Sequence, residues 1–393
     1  MLESRDEMAR IQQDQSLATP RDARADKTDP SDDEIKYWVA FNRINGVGRV
    51  RYQALVEKFK HLSEAWRASR TDLRSVGLDD RVVRAIIAER DKIDPDSELE
   101  ALHKAGVTPL AWDDSRYPRR LKETDDPPPV LYVRGQIQWS DEWSVSVVGT
   151  RRPTPYGRQV AEEMARQLAA NGIGVISGLA RGIDAIAHRS ALEAGGRTIA
   201  VLASGLDVVY PPEHKKLAAQ IEEHGALASD YPLGTQPRGD YFPRRNRILA
   251  GMSLGVLVVE GDLKSGALIT ARIAVEQNRE VFAVPGSVFS PQSRGTNTII
   301  GRGEAKLIQS IDDVLEELNL KTVPQQMEMR ELVPATDTEA DILRHISLEP
   351  VHVDDVCRES GLPVSTVSSV LAMMELKGLV RQMAPMAYVR ARE

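Results

Sequence analysis

Between residues 144 and 308 the chain alternates short, continuous apolar runs with stretches of helical periodicity. The runs fall at 144–148, 174–176, 198–203, 226–228, 256–259, 281–284 and 305–308. Amphipathic segments at 156–170, 183–193, 213–223, 243–252 and 267–277 separate them. A strand covered on both faces carries Val, Ile and Leu continuously, because neither face meets water. Regular β–α alternation then calls for parallel strands joined by helical crossovers. The expected fold class is α/β, a Rossmann-like, doubly wound and mostly parallel sheet.

That sheet occupies only part of a 393-residue chain, and a chain of this length is expected to form two or three domains. Residues 1–34 hold no aromatic side chain, carry dense mixed charge and include Pro20 and Pro30, so a disordered tail is expected. Residues 35–95 read as a helical module: Tyr37, Trp38, Phe41 and Ile44 recur at helical spacing, followed by Leu55, Val56 and Phe59, then Val82, Val83, Ile86 and Ile87. Between the first two groups, Ile44-Asn45-Gly46-Val47-Gly48 resembles the turn of a helix-hairpin-helix. Glycines there let backbone N–H groups approach a DNA phosphate, and Arg43, Arg49 and Arg51 flank them. The same pattern suits a SAM-like scaffold whose glycines only turn the chain, and both readings stand.

Residues 96–320 hold the sheet and its N-terminal edge elements, where Pro118 and Pro127 to Pro129 suggest edge strands and turns. Residues 321–336, with Pro324, Gln325, Gln326 and Pro334, read as a linker. Residues 337–393 offer helical segments at 339–346, 353–359 and 365–377, then a strand-like hairpin, which together resemble a winged helix-turn-helix.

Composition excludes several classes. Cys357 is the single cysteine, which rules out an internal disulfide framework and a multi-cysteine metal site. No apolar run reaches the ~18 residues of a membrane span. The first residues, rich in acids, fit neither a secretory signal nor a transit peptide, so a cytoplasmic protein is expected. The formal net charge of −7 argues against wholesale coating of nucleic acid, and directs attention to where the cations lie.

In open α/β sheets, ligands bind beyond the carboxyl ends of the strands. The first strand is followed by Gly149-Thr150-Arg151-Arg152, the second by Ser177-Gly178-Leu179-Ala180-Arg181-Gly182, and the third by Ser204-Gly205-Leu206-Asp207. The fourth leads to Arg238 and Phe242-Pro243-Arg244-Arg245-Asn246-Arg247. The fifth leads to Glu260, Asp262 and Lys264-Ser265-Gly266, and the sixth to Pro285-Gly286-Ser287 and Arg294-Gly295-Thr296-Asn297. Besides Arg152 and Arg238, seven cations are expected to converge on one edge: Arg151, Arg181, Arg244, Arg245, Arg247, Lys264 and Arg294. Asp207, Asp240 and Asp262 oppose them and are outnumbered. Helix-start glycines and guanidinium forks suit phosphate, and this reading outweighs a purely structural charge network.

The anion is not a dinucleotide, because Gly149 is followed by Arg151 and the next glycine is Gly157. A Walker lysine motif is likewise absent. His188 and His214 lack metal-ligand spacing, Asp184 reads as a helix N-cap, and no nucleophile–base pair stands out. A non-enzymatic binding edge without metal or cofactor is expected, with Tyr156, Tyr241 and Phe242 as candidate stacking surfaces.

Several motifs together resemble the DNA-processing protein A family (DprA, also called Smf). They are Val147-Val148-Gly149-Thr150-Arg151 with Tyr156-Gly157, the stretch from Ser177 to Asp184 with Ala187-His188, and Gly205-Leu206-Asp207 with Tyr210-Pro211. The segment from Phe242 to Ile248, Val258-Val259-Glu260, the stretch from Ser265 to Ala271, Val284-Pro285-Gly286 and Gly295-Thr296-Asn297 complete the set. The resemblance covers roughly residues 107 to 310. It implies a protein that binds and protects single-stranded DNA and loads the RecA recombinase onto it during natural transformation. It also implies a homodimer formed through the Rossmann-like domain, with single-stranded DNA-binding protein as a further candidate partner. The resemblance maps DNA contacts onto Arg151, Arg181 and the segment from Phe242 to Arg247. Together with the loop-edge reading above, the expected contacts are Gly149, Thr150, Arg151, Ser177, Gly178, Arg181, Gly182, Arg244, Arg245, Asn246, Arg247, Lys264, Ser265, Gly266 and Arg294, with Gly46, Gly48 and Arg49 of the hairpin as secondary candidates. Thr150 stands where the family commonly has serine, which keeps the hydroxyl.

The C-terminal module holds seven Lys and Arg against ten Asp and Glu from Arg330 onward, and its third helix has no cation before Lys377. Duplex readout needs cationic phosphate anchoring, so a protein-interaction role is expected there. Two alternatives remain: a nucleotide-processing enzyme similar to the lysine-decarboxylase-like phosphoribohydrolases, and a nucleotide-sensing winged-helix regulator. The first lacks its Pro-Gly-Gly-x-Gly-Thr loop, since this chain reads Pro285-Gly286-Ser287, and the uncharged third helix counts against the second.

Overall fold

The computed structural model describes residues 32–320, 337–347, 351–376, 380–384 and 386–390. The expected tail, up to residue 31, and the expected linker at 321–336 lie outside the described residues.

Among the described residues, nine strands form the main sheet: β1 (Thr108–Ala111), β2 (Val130–Gly135), β3 (Ser144–Val148), β4 (Gly174–Ser177), β5 (Thr198–Val201), β6 (Ala226–Ser229), β7 (Gly255–Val258), β8 (Glu280–Ala283) and β9 (Lys306–Leu307). Their spatial order is β1-β2-β6-β5-β4-β3-β7-β8-β9. From β6 to β9 every neighbouring pair is parallel. β1 and β2 form an antiparallel pair that docks on β6, which accounts for the prolines between them. Every residue of β3 to β7 is buried, which is why these strands read as continuous apolar runs.

Connectivity fixes where a site can form. From β3 the chain steps outward through β4, β5 and β6, then crosses back to β7 on the other side of β3. The loops after β3 and β7 therefore diverge at a topological switch point, where such sheets open a crevice. The Thr150 N–H donates to the Glu260 carbonyl across this point at 2.7 Å.

The N-terminal helices Asp32–Asn42, Arg49–Phe59, Leu62–Arg67, Arg70–Ser75, Asp80–Arg90 and Pro95–Lys104 share one hydrophobic core with the sheet. The first begins earlier than the expected residue 35. Trp38 stacks on Tyr52 and meets the edge of Trp112, each at 5.4 Å. Asn42 Nδ2 donates to the Tyr132 hydroxyl at 3.1 Å and the Asp230 carbonyl at 3.2 Å. Burial of each large side chain here contributes roughly 1.5–3 kcal/mol, so the module is fastened to the sheet.

The C-terminal module has helices Asp337–Arg344, Val353–Ser360 and Val364–Leu376. Its three strands, β10 (Val351–His352), β11 (Val380–Ala384) and β12 (Ala387–Arg390), pair in the order β10-β12-β11. One difference from expectation lies after β8, where 294–301 forms a helix. Gly295 and Thr296 weaken the helical signal locally, but close packing needs a small residue there: a Cβ on Gly295 would lie 2.4 Å from the Gly261 carbonyl oxygen. No described helix is long and apolar enough to cross a membrane.

Candidate nucleic-acid interface

The turn after β3 is held from below. Thr154 caps the helix Pro155–Ala170 by accepting the Gly157 N–H at 3.1 Å. Its own N–H and hydroxyl donate to the buried Glu260 carboxylate at 2.9 and 2.5 Å. Gly149, Thr150 and Arg151 are thereby presented on a fixed frame. Arg151 is exposed, and its guanidinium lies 5.3 Å over the Phe242 ring, which sits beside Tyr210 at 5.8 Å. An arginine stacked on an aromatic keeps its N–H fork directed outward for a phosphate.

The turn after β4 is held from within. Asp184 lies in the first turn of the helix Ile183–Glu193, and its carboxylate accepts from Gly178 N–H at 3.1 Å and Ala180 N–H at 3.3 Å. The N-cap is Gly182, not Asp184 as expected, because the carboxylate reaches back into the preceding loop. Gly182 has φ +79°, and a Cβ there would lie 2.3 Å from the Thr150 carbonyl oxygen. Burial pushes the Asp184 carboxyl up, while Arg245 and the two N–H groups oppose that shift.

Four residues of the expected contact set belong to the interior, which corrects the expectation for them. Arg245 is 3% exposed; it donates to the Gly178 carbonyl at 2.9 Å and to the Val201 carbonyl, and burial pushes its pKa down to about 10. Asn246 is buried beside it and accepts from its Nε at 3.2 Å. Ser177 donates to the Val147 carbonyl at 2.6 Å inside the sheet, and Gly178 is buried. Two others are exposed or half-buried but engaged: Arg181 pairs with Glu213 at 2.6 Å, and Arg247 with Asp230 at 2.6 Å. Arg238, similarly, pairs with Asp240 at 3.2 Å.

Arg151, Arg152, Arg244, Lys264 and Arg294 remain exposed without a carboxylate partner among the described residues. Lys264 precedes Ser265, which caps the helix Gly266–Glu276 by accepting the Ala267 N–H at 3.3 Å. Arg294 starts the next helix, tied to the same loop by the Gly295 N–H donating to the Gly261 carbonyl at 2.8 Å. The cationic rim is thus smaller than the sequence suggests: Arg151, Arg152, Lys264 and Arg294 follow β3, β7 and β8, while Arg244 lies in the helix Tyr241–Met252 between β6 and β7. His188 and His214 are buried; the Nδ1 of each lies within hydrogen-bond distance of an internal oxygen.

Gly46, Gly48 and Arg49 lie on a cleft of about 510 Å³ that they share with Arg244. Sequence reasoning missed Glu213 and Tyr231 as neighbours of functional side chains. Tyr231 stacks on Tyr241 at 4.4 Å, so Tyr241 has an aromatic partner already. Tyr156 is 47% exposed, and its hydroxyl donates to the Pro285 carbonyl at 2.8 Å.

Fold and site together define an α/β protein whose parallel sheet carries a cationic loop edge, built between a helical module and a winged helix. Residues 108–319 match the family model described as DNA recombination-mediator protein A, and residues 327–384 match the DprA winged helix domain. The chain is 36% identical to Protein Smf of Synechocystis over 394 residues, covering 91% of this chain and 99% of that one. It is 43% identical to the DNA processing protein DprA of Bacillus subtilis, over 57% of this chain and 76% of the relative. The X-ray structure of DNA processing protein A from Streptococcus pneumoniae superposes with a TM-score of 0.64 at 34% identity, covering 72% of this chain and 97% of that one. The chain belongs to the DNA recombination-mediator protein A family.

Proposed function

We propose that this chain binds single-stranded DNA along the loop edge of its parallel sheet, protects it, and loads RecA onto it without altering the DNA chemically. The supporting observation is the set of exposed cations that follow β3, β7 and β8, Arg151, Arg152, Lys264 and Arg294, which have no carboxylate partner among the described residues, with Arg151 set over Phe242. A flexible single strand can follow such a rim, with phosphates on the guanidinium groups and bases against Phe242 or Tyr156. A duplex holds its phosphates at fixed spacing and hides the base faces. The family assignment favours the same reading. Exposed apolar side chains on the sheet domain, Ile269, Val275 and Leu307 among them, are available to a homodimer formed through that domain. Single-stranded DNA-binding protein is a further candidate partner on the same DNA, and the cytoplasm is where these partners meet.

Fluorescence anisotropy with single-stranded and duplex oligonucleotides of equal length tests the binding step. Tighter binding to the single strand, falling as salt rises, is expected. Equal or stronger duplex binding would refute it. RecA loading is read as faster RecA ATP hydrolysis on single strands precoated with single-stranded DNA-binding protein; no acceleration would remove that part of the proposal.

A further inference from the structure

The helical module and the sheet edge enclose the cleft already noted, about 510 Å³ in volume. Five arginines line it, and three are neutralised: Arg43 by Glu98 at 3.0 Å, Arg51 by Asp79 at 2.8 Å, and Arg247 by Asp230 and Asp126 at 2.6 and 3.5 Å. Those last two are the acids of the cleft lining itself. Arg49 and Arg244 have no carboxylate partner among the described residues, and they come from opposite partners of the cleft, hairpin and sheet edge. The helix Arg49–Phe59 adds to the positive potential: Gly48 provides no side-chain cap and its first turn has no acid. The stacked Tyr231–Tyr241 pair supplies an aromatic wall.

We propose that this cleft takes the phosphodiester backbone of a single strand leaving the sheet edge, held between Arg49 and Arg244. The inference rests on the single-strand binding proposed above and extends it to the helical module. Continuity of the path follows from one helical turn. In the helix Tyr241–Met252, Phe242 lies under Arg151 on the sheet edge, whereas Tyr241 and Arg244 line the cleft. A strand crossing that turn passes from one surface to the other. The module's fixed seat, through Asn42 to Tyr132 and Asp230, keeps the two walls in register.

The test uses the full chain with Arg49→Gln and Arg49→Glu, and labelled oligothymidylates of about 6 and about 25 nucleotides, bracketing one groove and an extended path. The longer strand should bind Arg49→Glu on the order of tenfold more weakly, and Arg49→Gln less severely so. Its log–log salt slope should drop by about 0.7, one single-strand phosphate contact. The shorter strand should be unaffected. Unchanged binding of the longer strand, or equal losses on both lengths, would overturn the inference while leaving the sheet-edge site intact. Binding of neither oligonucleotide by the unaltered chain would defeat the parent proposal, and this inference with it. Arg49 is half-exposed and has no carboxylate partner among the described residues, so both variants should fold, as unchanged thermal melting would verify.

Discussion

Arg245 donates from Nη1 to the carbonyl of Gly178 across 2.9 Å, joining the helix Tyr241–Met252 to the turn that presents Arg181. Asp184 grips the other side of the same peptide residue through its N–H at 3.1 Å. A buried cation and a buried carboxylate therefore set one loop from within, while the neighbouring Arg244 faces outward.

Neighbouring arginines should consequently fail in different ways. Arg245→Leu leaves the Gly178 and Val201 carbonyls without their donor and Asp184 without its main compensating charge. A loss of roughly 2–4 kcal/mol is expected, seen as a lower urea midpoint. Arg244→Ala should leave the midpoint unchanged and weaken single-strand binding. If Arg245→Leu melts like the parent chain, its role as an internal clamp is wrong.

Glu213 competes with DNA for Arg181. The carboxylate sits 2.6 Å from the guanidinium Nε, which holds the Glu213 pKa below its usual value. Glu213→Gln keeps the size and removes the charge. Affinity for single strands should rise by roughly threefold at low ionic strength, and the gain should shrink as salt screens the pair. Equal or weaker binding would show that Arg181 is not a phosphate contact.

What the sequence revealed, and what it hid, follows from the range of the signal. The strands were legible because β3 to β7 bury every residue, leaving unbroken apolar runs. Hairpin glycines were legible too, and Gly46 does adopt φ +93°. The fates of Arg244, Arg245 and Arg247 were not evident from their shared chemistry, since successive helical residues rotate by about 100° around the axis. A usable signal did exist: Arg245, Ile248, Leu249 and Met252 fall on one stripe at helical spacing, and all four are buried. The Arg181–Glu213 pair and the cleft joining Arg49 to Arg244 depend on residues far apart in the chain, which no local pattern announces.

Acid should destabilise the fold through His188. Its Nδ1 lies 2.7 Å from Thr198 Oγ1, whose own proton is committed to the Val175 carbonyl at 2.7 Å. Nδ1 therefore carries the hydrogen, and Nε2 is buried without a partner among the described residues. Burial first, then nearby His214, Arg245 and Arg189, push the pKa down to about 3. An unfolded histidine titrates near 6.5. Between about pH 6.5 and 3 the unfolded chain thus binds more protons, and stability falls as pH drops, by up to about 1.4 kcal/mol per unit from this group. Urea midpoints across this range should show a shallower slope in His188→Gln. An identical slope would clear His188 of the effect.

Gly157 should resist even alanine. In an ordinary helix interior Gly→Ala stabilises by about 0.5–1 kcal/mol. Here a Cβ would lie 2.1 Å from Glu260 Oε2 and 2.3 Å from its Cδ. Glu260 cannot yield easily, because it is buried and both its oxygens accept hydrogen bonds from Thr154. Displacing it would unseat the turn that presents Arg151, so Gly157→Ala should cost roughly 1–3 kcal/mol and weaken single-strand binding as well. The cause is separable from a general helix effect by a double-mutant cycle with Glu260→Ala, which removes the colliding atoms. Gly157→Ala should be far less harmful in that background, giving a coupling of about 1 kcal/mol or more. Strict additivity of the two substitutions would mean that the glycine serves something other than the Glu260 carboxylate.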